Sequence, residues 1–123
     1  PKRFIFISAV VDEARSLLKT AREDFEAAMF NLAVEKSSRA AADVLSQLLR
    51  YFSVESGSMS VGEMLQTLRS KGVKMQIPVE LDRLKRIEGK AREGGVLTRE
   101  EVLFAIQAAG YIVEASKEVQ VVG

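Results

Sequence analysis

The segment Ala21-Arg-Glu-Asp-Phe-Glu-Ala-Ala-Met-Phe-Asn-Leu32 decides the fold class. Its apolar residues Ala21, Phe25, Ala28, Met29 and Leu32 recur at steps of three and four, the spacing of one face of an α-helix. Towards the N-terminus Val10, Val11, Ala14, Leu17 and Leu18 continue the same face, which predicts a helix from about residue 9 to 34. Glu35-Lys36-Ser37-Ser38 interrupts the pattern, and either serine can cap a second helix. That helix carries Ala41, Val44, Leu45, Leu48, Leu49 and Phe52, before a turn at Ser53–Ser58.

Beyond the turn, Ser60-x-x-Glu63 is a capping box followed by Val61, Met64, Leu65 and Leu68, with Gly72 as a stop. Pro78 suits the first turn of a fourth helix whose Leu81, Leu84 and Ala91 point inward and which Gly94-Gly95 ends. Thr98-x-x-Glu101 is a second capping box, and Val102, Ala105, Ile106, Ala109, Ile112 and Val113 form the fifth stripe. Five helices with short turns predict an all-α antiparallel bundle. Phe4–Ile7 and Val119–Val122 are β-prone, and their pairing as a ribbon is one option. The expectation here is helix extension or fraying.

At 123 residues the chain is expected to be a single domain over 1–123. It contains 47% hydrophobic and 28% charged residues, a globular rather than disordered composition. There is no cysteine, which removes disulfides, thiolate metal sites and cysteine nucleophiles. There is no histidine either, which removes Ser-His-Asp triads and imidazole acid–base chemistry. Glu23 and Glu26 share a helix face, but a carboxylate metal site needs a second matching pair, so no metal and no cofactor are expected. The run Phe4–Val11 is too short for a membrane span and lacks the pattern of a signal peptide, so a cytoplasmic protein without membrane contact is expected.

Net charge is +1, yet residues 69–92 hold eight basic side chains against three acidic ones. Arg69, Lys71 and Lys74 lie just upstream of Arg83, Arg86 and Lys90, which follow one another at helical spacing. A cluster of that kind suits phosphate, because neutralising phosphates releases condensed counterions. The alternative is a solvated face, since Glu80–Arg83, Asp82–Arg86 and Glu88–Arg92 are spaced as ordinary helix ion pairs. Arg50, beside Tyr51 near the end of the second helix, is a further candidate for gripping phosphate.

The same segments resemble the HEPN domain (higher eukaryotes and prokaryotes nucleotide-binding). Residues 21–32 are similar to its first helix, Ser60-Val-Gly-Glu-Met-Leu-Gln-Thr-Leu68 to its short helix, and Ile77-Pro-Val-Glu-Leu81 to its I-P-x-E-L turn. The resemblance implies a small helical bundle that dimerises, binds nucleotide or RNA, and works beside a minimal nucleotidyltransferase in toxin–antitoxin-like pairs. Catalytic members carry an arginine, then four to six residues, then a histidine. Here Arg50 takes the arginine position, but Ser56-Gly57-Ser58-Met59 supplies no histidine. A non-catalytic module is therefore expected, with Arg50, Arg69, Lys71, Lys74, Arg83, Arg86 and Lys90 as its nucleotide- or RNA-binding residues. A homodimer is also expected, with small residues (Ala27, Ala28, Ala33, Ala105, Ala108, Ala109) either at its seam or filling the core. The rival reading is a homodimeric interaction protein that binds no nucleic acid.

Overall fold

The computed structural model describes residues 2–122. Five helices run in chain order as α1 (Ser8–Glu26), α2 (Phe30–Tyr51), α3 (Val61–Ser70), α4 (Leu81–Arg92) and α5 (Arg99–Ser116). Three short strands accompany them: β1 (Lys2–Phe6), β2 (Val73–Lys74) and β3 (Glu118–Val122). α2 is the central element and packs on α1, α3, α4 and α5. Its inner face, including Val44, Leu45, Leu48 and Leu49 at full burial, meets Val11 and Leu18 of α1, Leu65 and Leu68 of α3, and Ile106 and Ile112 of α5 in one cluster.

Both capping boxes form as the sequence predicts. Ser60 Oγ accepts from the Glu63 amide while Glu63 accepts from the Ser60 amide, and Thr98 and Glu101 do the same at α5. Each box occupies two N–H groups that the helix start cannot satisfy internally.

The first interruption lies elsewhere than predicted. α1 ends at Glu26, and Glu35–Ser38 sits inside α2. The end is a Schellman motif: the Met29 amide donates to the Asp24 carbonyl (2.8 Å) and the Ala28 amide to the Phe25 carbonyl (3.0 Å). Ala28 takes the left-handed position, φ 60°, where glycine is usual. An alanine there leaves no mark in the sequence. Ser37, for its part, is buried with its hydroxyl donating to the Ala33 carbonyl at 2.8 Å, so it is accommodated within the helix rather than capping one. Ala28→Gly is expected to stabilise the fold by about 0.5–1 kcal/mol, the left-handed penalty less the added freedom of the unfolded chain. Thermal denaturation of the two proteins measures it.

α4 also starts later than predicted, at Leu81 behind the extended Glu80. The Val79 amide donates back to the Ile77 carbonyl (2.8 Å), so Pro78 sits in a tight turn before the helix. Gly94 ends α4 as expected, with φ 73°.

The two chain ends correct the expectation of helix or fraying. β1 and β3 pair antiparallel from Lys2↔Val122 to Phe6↔Glu118, and β2 adds Val73↔Val121 and Lys74↔Gln120, giving the order β1-β3-β2. The cause is the antiparallel packing of α1 on α5. Arg15 near the start of α1 reaches Glu114 near the end of α5, so the segments before α1 and after α5 emerge side by side. Their aromatic and β-branched residues then favour the extended form. The small residues Ala33, Ala105, Ala108 and Ala109 are buried in the core, whereas Ala27 and Ala28 are exposed.

Candidate nucleic-acid interface

The basic residues of 69–92 divide into two groups in the structure. α3 delivers Arg69 to its last turn, Lys71 caps the helix, and Gly72 at φ 86° turns the chain into β2, which carries Lys74. All three cations are exposed, and none has an ion pair among the described residues. Arg69 and Lys74 line a cleft of about 430 Å³ with Gly72, Val73, Met75 and Gln76. Arg69 also lines a neighbouring groove of about 270 Å³ between α3 and α4, where Lys85 faces it beside Gln66 and Ser60. The Ser60 amide, with its hydroxyl and then Lys85, holds the Glu63 carboxyl in that groove below the usual carboxylate range.

The α4 residues behave differently. Arg83 lies over the Phe104 ring of α5, its guanidinium carbon 4.3 Å from the ring centre. Lys90 Nζ donates to both oxygens of Glu101 at 3.1 and 3.2 Å. That bond and, more strongly, the Thr98 amide keep Glu101 below its ordinary pKa. Arg83 and Lys90 are therefore occupied within the fold, and the three-cation face predicted for this helix reduces to Arg86. The helix ion pairs Glu80–Arg83, Asp82–Arg86 and Glu88–Arg92 do not form among the described residues, whose ion pairs are Arg15–Asp12, Arg15–Glu114, Lys36–Asp24 and Lys90–Glu101. Neither the Phe104 partner nor the part played by Lys85 has a signal in the sequence, because each depends on how α4 crosses its neighbours.

Arg50 is exposed on the last turn of α2, where a cation suits the helix dipole. Tyr51 meets Phe52 edge-on, with ring centres 5.1 Å apart. α2 ends in a second Schellman motif with Ser53 in the left-handed position, and the Ser56 hydroxyl then donates back to Ser46 Oγ at 3.1 Å. The stretch where the resemblance calls for histidine is thereby tied to α2 through serines.

A further cleft was not foreseen. About 590 Å³ in volume, it lies between α1 and α5 and is lined by Arg15, Arg22, Gln107, Gly110, Tyr111 and Glu114. Arg15 is clamped to Glu114 by two bonds of 2.6 Å. Among the described residues no group of three or more acidic side chains could hold a metal ion, and no helix is long and apolar enough to cross a membrane.

No protein-family model matches the chain, and no curated protein matches it. Among solved structures, the crystal structure of a HEPN domain protein from Thermotoga maritima is similar over 88% of this chain and 93% of that one. Its TM-score is 0.59 at 21% sequence identity, a likeness of fold. The chain is thus an all-α bundle of the HEPN type, with a small three-stranded sheet joining its ends.

Proposed function

We propose that the chain is a non-catalytic, HEPN-like module that binds nucleotide or RNA through Arg69, Lys71 and Lys74, with Arg86 and Arg50 as outlying contacts. The observation that carries this reading is the convergence on the α3–β2 junction of three cations without an ion pair among the described residues, with Arg69 shared between two clefts. Paired cations have already given up part of what they could offer to phosphate, whereas unpaired ones keep it. Arg83 and Lys90 then serve the fold, by anchoring α4 to α5. The absence of histidine argues against the family's ribonuclease chemistry. A homodimer and a nucleotidyltransferase-type partner in the cytoplasm belong to the same proposal.

Binding of a short fluorescent single-stranded RNA tests it. The double variant Arg69→Ala, Lys74→Ala is expected to weaken binding about tenfold and to lower the salt slope by about 0.7 per lost phosphate contact. Lys90→Ala is expected to change affinity less than about threefold, because that ammonium is held by Glu101. Equal loss in both variants would contradict the assignment.

The rival reading, a homodimer that binds no nucleic acid, draws on Leu103 and Tyr111. They are 42% and 54% exposed and lie eight residues apart on α5. It predicts association that does not weaken with salt and no RNA binding, as sedimentation and anisotropy would show.

A further inference from the structure

We propose that a second cleft, between α2 and α4, binds a small molecule bearing a planar guanidinium or amidinium group, with the Glu88 carboxylate as its anchor. This site is separate from the basic surface and opposite to it in charge. The cleft measures about 390 Å³ and is lined by Asn31, Val34, Glu35, Ser38, Glu88, Ala91 and Arg92. That volume falls in the range of about 300–1,000 Å³ typical of small-molecule sites. Val34, at 1% exposure, provides an apolar wall.

The polar groups are arranged mostly as acceptors. Asn31 Nδ2 donates to the Ala91 carbonyl at 3.2 Å, which fixes the amide and leaves Oδ1 to accept. The Ser38 hydroxyl lines the same cleft, and its oxygen has accepting capacity. In the lining, Glu88 is half-buried and Glu35 exposed. Burial pushes the Glu88 carboxyl above its ordinary pKa, with Ser38 and then Arg92 opposing. A cation paired with the carboxylate would offset that desolvation by charge attraction.

The protein's own cation does not fill this role. Arg92 is four residues from Glu88 on the same helix but makes no ion pair with it, and it is exposed. Two carboxylates against one guanidinium give the lining a net charge of −1. A phosphate would meet more like charge than opposite charge here. A hard metal ion would need about six oxygen ligands, whereas the cleft has two carboxylates. A flat cation with parallel N–H groups matches a carboxylate in two-pronged fashion and can place further donors on Asn31 Oδ1. An alkylammonium offers the same charge without that geometry.

Agmatine and 1,4-diaminobutane, dications of equal charge, titrated separately into the ¹⁵N-labelled protein and into its Glu88→Gln variant, test the proposal by amide chemical-shift mapping. The expected result is saturable agmatine shifts centred on Asn31, Val34, Ser38, Glu88 and Ala91. 1,4-Diaminobutane should bind at least about tenfold more weakly, and Glu88→Gln should weaken agmatine by at least about tenfold, about 1.4 kcal/mol. Glu88→Gln removes a desolvated charge at constant shape and is expected to stay folded, which its own amide spectrum checks. If it does not, Ser38→Ala serves as the second variant, with weaker agmatine binding expected. Equal binding of the two amines, shifts centred outside the cleft, unchanged affinity in the folded variants or no saturable binding would each overturn the proposal.

Discussion

Leu48→Ala is expected to lower the unfolding free energy by about 2–5 kcal/mol, the range for a large side chain removed from a packed core. Leu48 is fully buried near the C-terminal end of α2, and α2 packs against all four other helices. Leu45 and Leu49 on the same face are also fully buried, so little can move in to close the cavity. Urea denaturation reads the loss as a lower midpoint at unchanged slope. Leu103→Ala on α5, whose side chain is 42% exposed, serves as a comparison and is expected to lose less than about 1 kcal/mol. Similar losses at the two positions would mean that α2 is not the centre of the core.

Asp24→Ala is the second large effect, expected at about 2 kcal/mol. Asp24 Oδ2 lies 2.7 Å from Lys36 Nζ, with side-chain exposures of 14% and 22%, and the pair ties α1 to α2 across the turn at Ala28. Removing the acid leaves a largely desolvated ammonium without its partner, and that penalty exceeds the worth of the pair itself. Some exposure remains, which puts the effect below the 3–5 kcal/mol of a fully buried pair. Arg15→Ala is expected to lose less than about 1 kcal/mol despite shorter bonds, because water already screens Arg15 and Glu114, 40% and 55% exposed. The double variant Asp24→Ala, Lys36→Met should regain most of the loss, since the orphaned charge goes with its partner. A loss at Asp24 no larger than at Arg15 would contradict this account.

Much of the fold is legible in the residues themselves. The boxes Ser60–Glu63 and Thr98–Glu101 mark the true starts of α3 and α5, and Gly72 and Gly94 adopt the left-handed turns expected of them. These signals are local, because a cap or a helix stop involves only near neighbours in sequence. The misplaced break has a local cause as well, but one without a residue signature: Ala28 and Ser53 take positions that glycine usually fills. Sheet formation, by contrast, depends on α1 and α5 bringing residues 2–6 beside 118–122, a fact of packing.

The candidate site follows the same division. Charge counting finds the basic region but cannot separate Arg69, Lys71 and Lys74 from Arg83 and Lys90. That separation comes from Phe104 and Glu101, both on a different helix from the cations they engage. The acceptor-lined cleft at Glu88 is also invisible in sequence, where Glu88 and Arg92 read as a surface pair. In the fold, Glu88 is half-buried in a cleft that Asn31, Glu35 and Ser38 of α2 also line, and Arg92 lines it without pairing with Glu88.

The salt dependence of RNA binding by the unmodified protein tests the central claim most directly. Fluorescence anisotropy with a short single-stranded RNA at about 50 and 200 mM salt is sufficient. Three to four phosphate contacts, from Arg69, Lys71, Lys74 and Arg86, imply a log–log slope of about −2 to −3 for a single strand. The account predicts that affinity falls about 20- to 50-fold across that interval. Affinity that does not change with salt, or no binding at about 50 mM, would contradict it.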